Sequence, residues 1–197
     1  MHPDKARWEA KWSEKKTFDF VLIPFVREHL PLLQPGSVLD IPCGYGRNAV
    51  PLAEHGFQVT AVDISPTALR LLREQAAQRR LAMRIIEADI TATDAVAALP
   101  VFDNILIARY KPSRALFAAL VGKLRRGGTL LLYSLNNRPT LAEAACKADR
   151  YFLGKDEFLR ISDALTLIKH ETLTGSNGSC DGYIFRKHSD GVSHDGL

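Results

Sequence analysis

The chain has 197 residues, a formal net charge of +4 and 46% hydrophobic residues. That length suits one domain with a full core, and the composition excludes fibrous, disordered and disulfide-scaffold classes. No apolar run reaches the ~20 residues a membrane helix needs, and the polar start at Met1–Lys5 shows no secretory signal.

Three cysteines, Cys43, Cys146 and Cys180, have neither paired nor zinc-type spacing, so a reducing cytoplasm is expected and no metal site. The modest positive charge is that of a mildly basic enzyme surface. Residues 4–16 read as a helix with Trp8 and Trp12 on one face among Lys, Arg and Glu. Residues 18–33 are apolar but interrupted by Pro24 and Pro31, which predicts a broken helix or two short pieces. A turn follows at Gln34-Pro35-Gly36.

Ser37–Ile41 reads as the first strand. The next helix is expected to begin at Asn48, a favoured N-cap, with Pro51 in the first turn and Gly56 closing the far end. Phe57–Asp63 is a second strand, and Ser65-Pro66 caps and opens the helix behind it. From that helix Leu69, Leu71, Leu72 and Ala76 should face inward.

Met83–Ala88 reads as the third strand, Thr91–Leu99 as a small helix and Phe102–Ala108 as the fourth strand. Ser113 opens a helix that Gly127-Gly128 should stop, and Thr129–Leu135 is the fifth strand. Leu141–Ala148 and Asp156–Ile161 read as short helices. Leu165–Thr172 and Gly182–Lys187 read as a hairpin around the turn at 175–178. The tail from His188 is polar and expected to be disordered.

This alternation predicts an α/β fold, a Rossmann-like, mostly parallel seven-stranded sheet with helices on both faces and an antiparallel C-terminal strand. Residues 1–36 form an N-terminal helical segment and lid candidate, 37–187 the main domain and 188–197 a flexible tail.

In such sheets ligands bind beyond the carboxyl ends of the strands. Asp40, Asp63 and Asp89 fall at three consecutive strand ends and should converge on one crevice. Between the first two lies Gly44-Tyr45-Gly46, whose glycines permit positive φ and close approach of a ligand. Gly44 to Ala49 formally fits the dinucleotide pattern G-x-G-x-x-A, with Asp63 at the ribose position. Asp40 opposes that reading, because a pyrophosphate disfavours a nearby carboxylate. A cationic ligand suits it.

The runs VLDIPCGYGRNA, VTAVDIS, IIEADI, FDNILIARY and LRRGGTLLLYS resemble the successive motifs of class I S-adenosylmethionine-dependent methyltransferases. The resemblance spans roughly residues 37–135. The Gly-Arg-Asn-Ala run and the Trp-bearing N-terminal segment are similar to the tellurite-resistance group of small-molecule methyltransferases. One departure is Pro42, where the family usually has glycine.

The resemblance implies S-adenosyl-L-methionine as cofactor. Asp40, Gly44, Gly46 and Arg47 would form the loop around its methionine portion. Asp63 would hold the ribose, with Ile64 beside the adenine. Asp89 would meet the adenine amino group, with Ile90 against the ring. Arg109 would approach the methionine end or the substrate.

Methyl transfer needs alignment and exclusion of water more than strong acid–base help, especially for a soft nucleophile. Arg109 and Tyr110 are the candidate positioning residues, with Tyr45, Lys111 and Arg114 nearby. Cys43 reads as a packed residue rather than a nucleophile.

The expected function is methyl transfer to a small-molecule acceptor, anionic or of the S, Se or Te type. The alternatives are an RNA or protein methyltransferase, motivated by the clusters Arg79, Arg80, Arg84 and Lys123, Arg125, Arg126, and a nonenzymatic S-adenosylmethionine-binding sensor. Neither a membrane nor a nucleic acid is the expected partner.

Overall fold

A computed structural model describes residues 3–136, 152–175 and 178–189. Five parallel strands come first: β1 (Ser37–Asp40), β2 (Gln58–Asp63), β3 (Arg84–Glu87), β4 (Phe102–Ala108) and β5 (Leu124–Leu135). A hairpin of β6 (Leu165–Gly175) and β7 (Gly178–Lys187) completes the sheet. The order is β3-β2-β1-β4-β5-β7-β6, so β7 lies antiparallel between β5 and β6. The predicted seven-stranded Rossmann-like sheet is therefore the observed one. Strand order reverses between β1 and β4, which places the crevice above that junction.

Six helices are described: α1 (Pro3–Glu14), α2 (Pro24–Glu28), α3 (Ala49–Glu54), α4 (Pro66–Arg79), α5 (Thr93–Ala97) and α6 (Arg114–Lys123). Two apolar layers flank the sheet. On one face Phe25 and Val26 of α2, Leu52 of α3 and Leu69 and Leu72 of α4 pack together. On the other, Val96 of α5, Phe117 and Leu120 of α6, and Phe158 pack with Tyr183 and Phe185 of β7. The caps follow local chemistry. Ser65 Oγ accepts from the Ala68 amide at 3.1 Å, and Ser113 Oγ from Leu116 at 3.1 Å.

Several expectations need correction. Asn48 precedes α3 but does not cap it, because its Oδ1 accepts the Ile23 amide at 3.1 Å instead. That bond ties the N-terminal segment to the glycine loop. Leu71 is only half-buried, and Ala68 takes the inward position. The glycine pair at 127–128 does not stop α6. The helix ends at Lys123, where Leu124 turns extended (φ −84°, ψ 131°), and the glycines lie inside β5.

Residues 155–160 form turns rather than a helix, held by the Gly154 amide donating to Glu157 Oε2 at 2.7 Å. The hairpin strands run longer than predicted. The broken helix at 18–33 resolves into α2 and a single 3₁₀ turn at Leu30–Leu32. The predicted helix at 141–148 and most of the polar tail lie outside the described residues.

Candidate functional site

Asp40 ends β1, Asp63 ends β2, and Asp89 stands two residues beyond β3. The loop after β1 turns sharply because Gly44 (φ +55°) and Gly46 (φ +88°) adopt left-handed backbone. Neither tolerates a side chain. A Cβ on Gly46 would collide with Leu72, and one on Gly44 would meet the Trp12 ring at 3.1 Å. The loop is pinned to the sheet by the Cys43 amide donating to Val62 O at 2.9 Å.

Asp63 organises this loop. Its Oδ2 accepts the Gly44 amide at 2.7 Å and its Oδ1 the Ser65 amide at 3.0 Å. Burial raises its pKa, although those amides and that of Ile64 favour the charged form. A carboxylate offers about four lone-pair sites, so these amides leave acceptor capacity for a ligand.

Asp40 is more deeply placed. It is 1% exposed, and neither carboxylate oxygen has a hydrogen-bond partner. The Ala49 amide favours its charge slightly without reaching hydrogen-bond geometry. Burial, and then the charge of Asp63, push its pKa up to about 8. Cys43 is buried beside both acids, and burial, Asp63 and Asp40 hold its thiol well above its usual range. It is a packed thiol, not a nucleophile.

An open cleft of about 920 Å³ lies above these strand ends. Of the residues singled out from the sequence, Gly44, Arg47, Asp63, Ile64, Asp89, Ile90, Arg109 and Tyr110 line it. Asp40 and Gly46 do not line it: Asp40 lies beneath the loop and Gly46 faces Leu72. Arg47 lines the wall but is engaged elsewhere, with Nε donating to Val21 O at 3.1 Å and Nη2 3.0 Å from Asp19.

Asp89 Oδ1 accepts the amide and hydroxyl of Thr91, at 2.9 and 2.6 Å, which fixes its side chain at the cleft edge. Arg109 takes a positive φ of 58°, with its amide donating to Tyr133 O at 2.7 Å and its guanidinium 5.6 Å from the Tyr133 ring. Lys111 lines the cleft and pairs with Glu157 at 2.9 Å. The Tyr45 hydroxyl donates to Asp19 at 2.6 Å, so it serves the wall. Arg114 is exposed at the start of α6, away from the lining.

The sequence reading missed how much of the cleft α1 supplies. Arg7, Trp8, Lys11 and Trp12 line it, as does Lys15 just past the helix end. Trp8 and Trp12 stack at 6.2 Å, and Lys11 Nζ lies 4.3 and 4.9 Å from their ring centres. Burial lowers the Lys11 pKa, crowding by Lys15, Arg7 and Arg109 lowers it further, and Asp63 opposes the shift. Lys11 and Lys15 stand three and seven residues after Trp8. That helical spacing is the signal that would have found them.

These groups fit a cationic nucleoside. Asp63 and Asp89 line the cleft beside the apolar Ile64 and Ile90, and the buried carboxyl group of Asp40 lies below without a hydrogen-bond partner. The same acids oppose a pyrophosphate. Residues 38–128 match the family described as methyltransferase domain. That stretch of the chain is similar to a methyltransferase domain.

The relatives carry different names. The chain is 31% identical to Hemagglutinin 1 of Eikenella corrodens over 76% of this chain and 50% of that one. It is 33% identical to ribosomal RNA small subunit methyltransferase C of Alcanivorax borkumensis over 54% and 34%. It is 28% identical to the ubiquinone biosynthesis O-methyltransferase of Xanthomonas campestris over 73% and 62%. The chain thus spans between a third and two thirds of the length of these relatives.

Among solved structures, one described under conversion of a disulfide bond into a thioacetal during echinomycin biosynthesis superposes with a TM-score of 0.72. It is 21% identical and covers 95% of this chain and 94% of its own. TehB of Haemophilus influenzae gives 0.68 at 17% identity, covering 91% and 67%. Both share the fold of this chain.

Proposed function

We propose that the chain is an S-adenosylmethionine-dependent methyltransferase acting on a small anionic or soft acceptor, of the S, Se or Te type, in the cytoplasm. The observation that carries this reading is the pairing of acids and cations in one cleft. Asp63 and Asp89 line it, with Asp40 buried beneath the loop, and Arg7, Lys11, Lys15, Arg109 and Lys111 line it as well. In this reading the acids hold the cationic cofactor and the cations receive the acceptor.

Asp63 holds the ribose hydroxyls through its free lone pairs, and Asp89 and Ile90 meet the adenine. Asp40 matches the positive end of the cofactor from below. The cofactor, when bound, supplies an activated methyl group. The chain orients the acceptor against it through Arg109 and Tyr110 and keeps water out with α1 as a lid over residues 37–187. An anion among Lys11, Lys15 and Arg109 relieves the crowding around Lys11. No strong base is required for a soft nucleophile. The fold likeness to TehB supports the tellurite-resistance grouping.

The RNA reading is motivated by the relative of that name and by the basic clusters. Those clusters are partly occupied, however. Arg79 pairs with Glu54, Arg125 with Asp103, and Lys123 donates to the carbonyls of Ala97 and Leu99.

The test is calorimetry with S-adenosylmethionine, S-adenosylhomocysteine and NAD, followed by turnover of thiol, selenite, tellurite, phenol and RNA acceptors. Binding of the two adenosyl compounds with turnover of an anionic or soft acceptor supports the proposal. Binding of NAD alone overturns the cofactor assignment. Turnover of RNA alone, with tight and steeply salt-dependent binding, overturns the acceptor assignment. Cofactor binding with no turnover across the panel points to a sensor.

A further inference from the structure

α1 lies across the cleft, yet none of its described side chains is fully buried. Its apolar contacts are the Trp8–Trp12 stack, the Trp12 ring against Gly44, and Trp12 edge-on to Tyr45 at 5.3 Å. A helix held this way has little buried area to oppose its detachment. Among the described residues, Glu9 gathers three of the hydrogen bonds that fasten it.

Glu9 reaches the N-terminus of α4. Its Oε1 accepts from the Ser65 hydroxyl and from the Thr67 amide at 3.2 Å, and its Oε2 accepts from the Thr67 hydroxyl at 2.7 Å. The contact joins a carboxylate to a helix start, where negative charge is favoured. Burial by itself would raise the Glu9 pKa, but the bonds from Ser65 and Thr67 outweigh it and hold the carboxyl below its usual value. A second, exposed tie joins Lys5 to Glu87 at 2.6 Å.

Ser65 carries the connection inward. Its hydroxyl binds Glu9 and caps α4, and its amide donates to Asp63. Asp63 in turn accepts the Gly44 amide, and Gly44 is the seat of the Trp12 ring. The path from Glu9 through Ser65, Asp63 and Gly44 returns to α1 at Trp12. A separate observation points to a ligand in this loop. The indole Nε1 of Trp12 is buried without a hydrogen-bond partner, on a ring that lines the cleft. An acceptor atom of a ligand would satisfy it.

We propose that Glu9 is the latch of a ligand-gated lid: it clamps α1 to the Ser65-Thr67 corner and so couples lid closure to the placement of Asp63, without touching the ligand. Glu9 is a positioning residue. Opening the lid frees the Glu9 bonds and the Trp12 seat together. Closing over a ligand restores both and adds the indole hydrogen bond. The adenosyl identity of that ligand rests on the functional reading above. The latch itself does not.

The test compares the wild-type chain with Glu9→Ala and Glu9→Gln. Without ligand, hydrogen exchange at the α1 amides should accelerate by about tenfold or more in Glu9→Ala, with Glu9→Gln between it and wild type. Exchange in β1, β4 and β5 should stay unchanged. With S-adenosylhomocysteine as probe, wild type should show protection of α1 and a change in tryptophan fluorescence. Glu9→Ala should bind about 5- to 30-fold more weakly, mainly through faster dissociation, and Glu9→Gln should recover part of the loss.

Unchanged α1 exchange in Glu9→Ala overturns the latch, whatever the ligand does. Accelerated exchange in α1 and the central strands alike also overturns it, because Glu9 would then support the whole fold. Failure of wild type to bind S-adenosylhomocysteine, with α1 exchange still accelerated in the variant, overturns the cofactor reading and leaves the latch supported.

Discussion

Asp40 offers a direct measurement. Its pKa of about 8 lies well above the ordinary 3.8, because burial and Asp63 both disfavour its charge. At pH 7 about nine molecules in ten therefore carry a proton there. A positively charged ligand beside Asp40 reverses the balance and drives the proton off. Binding of S-adenosylmethionine at pH 7 should then release close to one proton. Its affinity should rise by up to about tenfold per pH unit between roughly pH 6 and 8 and flatten above.

Calorimetry at pH 7 in buffers of different ionisation enthalpy measures the proton count as a slope. Asp40→Asn should bring that slope near zero. The free chain provides a second readout. Asp40 binds its proton more readily when folded than when unfolded. The folded state therefore holds the extra proton between about pH 4 and 8, and stability falls as pH rises through that window. The slope is up to about 1.4 kcal/mol per pH unit, and Asp40→Asn should remove it. A wild-type buffer slope indistinguishable from zero, with flat stability across the window, refutes the reasoning.

Other outcomes are equally concrete. Asp63→Ala should abolish most cofactor affinity, because it removes both the ligand acceptors and the anchor of Gly44, and a change below about threefold in calorimetric Kd would show the ribose assignment to be wrong. Deleting residues 1–16 should reduce turnover far more than melting temperature, since α1 buries no described side chain, and matched losses would sink the lid. Gly182→Ala should cost about 1–3 kcal/mol in denaturant unfolding, because its Cβ would collide with the buried Phe25 ring.

Periodicity and punctuation made most of the sheet legible from residues alone. The ends of β1 and β2 are acids followed by a turn or cap, and the Ser65-Pro66 and Ser113 signals are local enough to read directly. The misreadings arose where tertiary pairing outweighed local preference. Gly127-Gly128 looks like a helix stop, but pairing of Leu124 with Phe102 draws the chain into β5 earlier. Asn48 looks like a cap, but the Ile23 amide from a segment 25 residues away takes its oxygen.

The candidate site divides along the same line. Asp40, Asp63 and Asp89 could be aligned because each lies in or beside a strand whose direction is fixed by the sheet. Lys11 and Lys15 could not, because their meaning depends on where α1 docks. That docking is decided by Glu9 and the Ser65-Thr67 corner, more than 50 positions later.

The position of β7 has a consequence for how the molecule assembles. The last strand in the chain is not the last in the sheet. It fills the slot between β5 and β6 and sets Gly182 against Phe25. During synthesis the growing chain can zip β1 to β5 in a parallel array, yet the edge of β5 stays open until β7 leaves the ribosome. Such an open edge is a template for mispairing with another nascent chain. A message truncated before Gly178 would thus lose β7, and with it the partner of β6 and the seat of the N-terminal segment, although the acids at the ends of β1 and β2 and beyond β3 would all be present. In this protein the acids at and beside the strand ends are made early, and the strand that seats the N-terminal segment is made later.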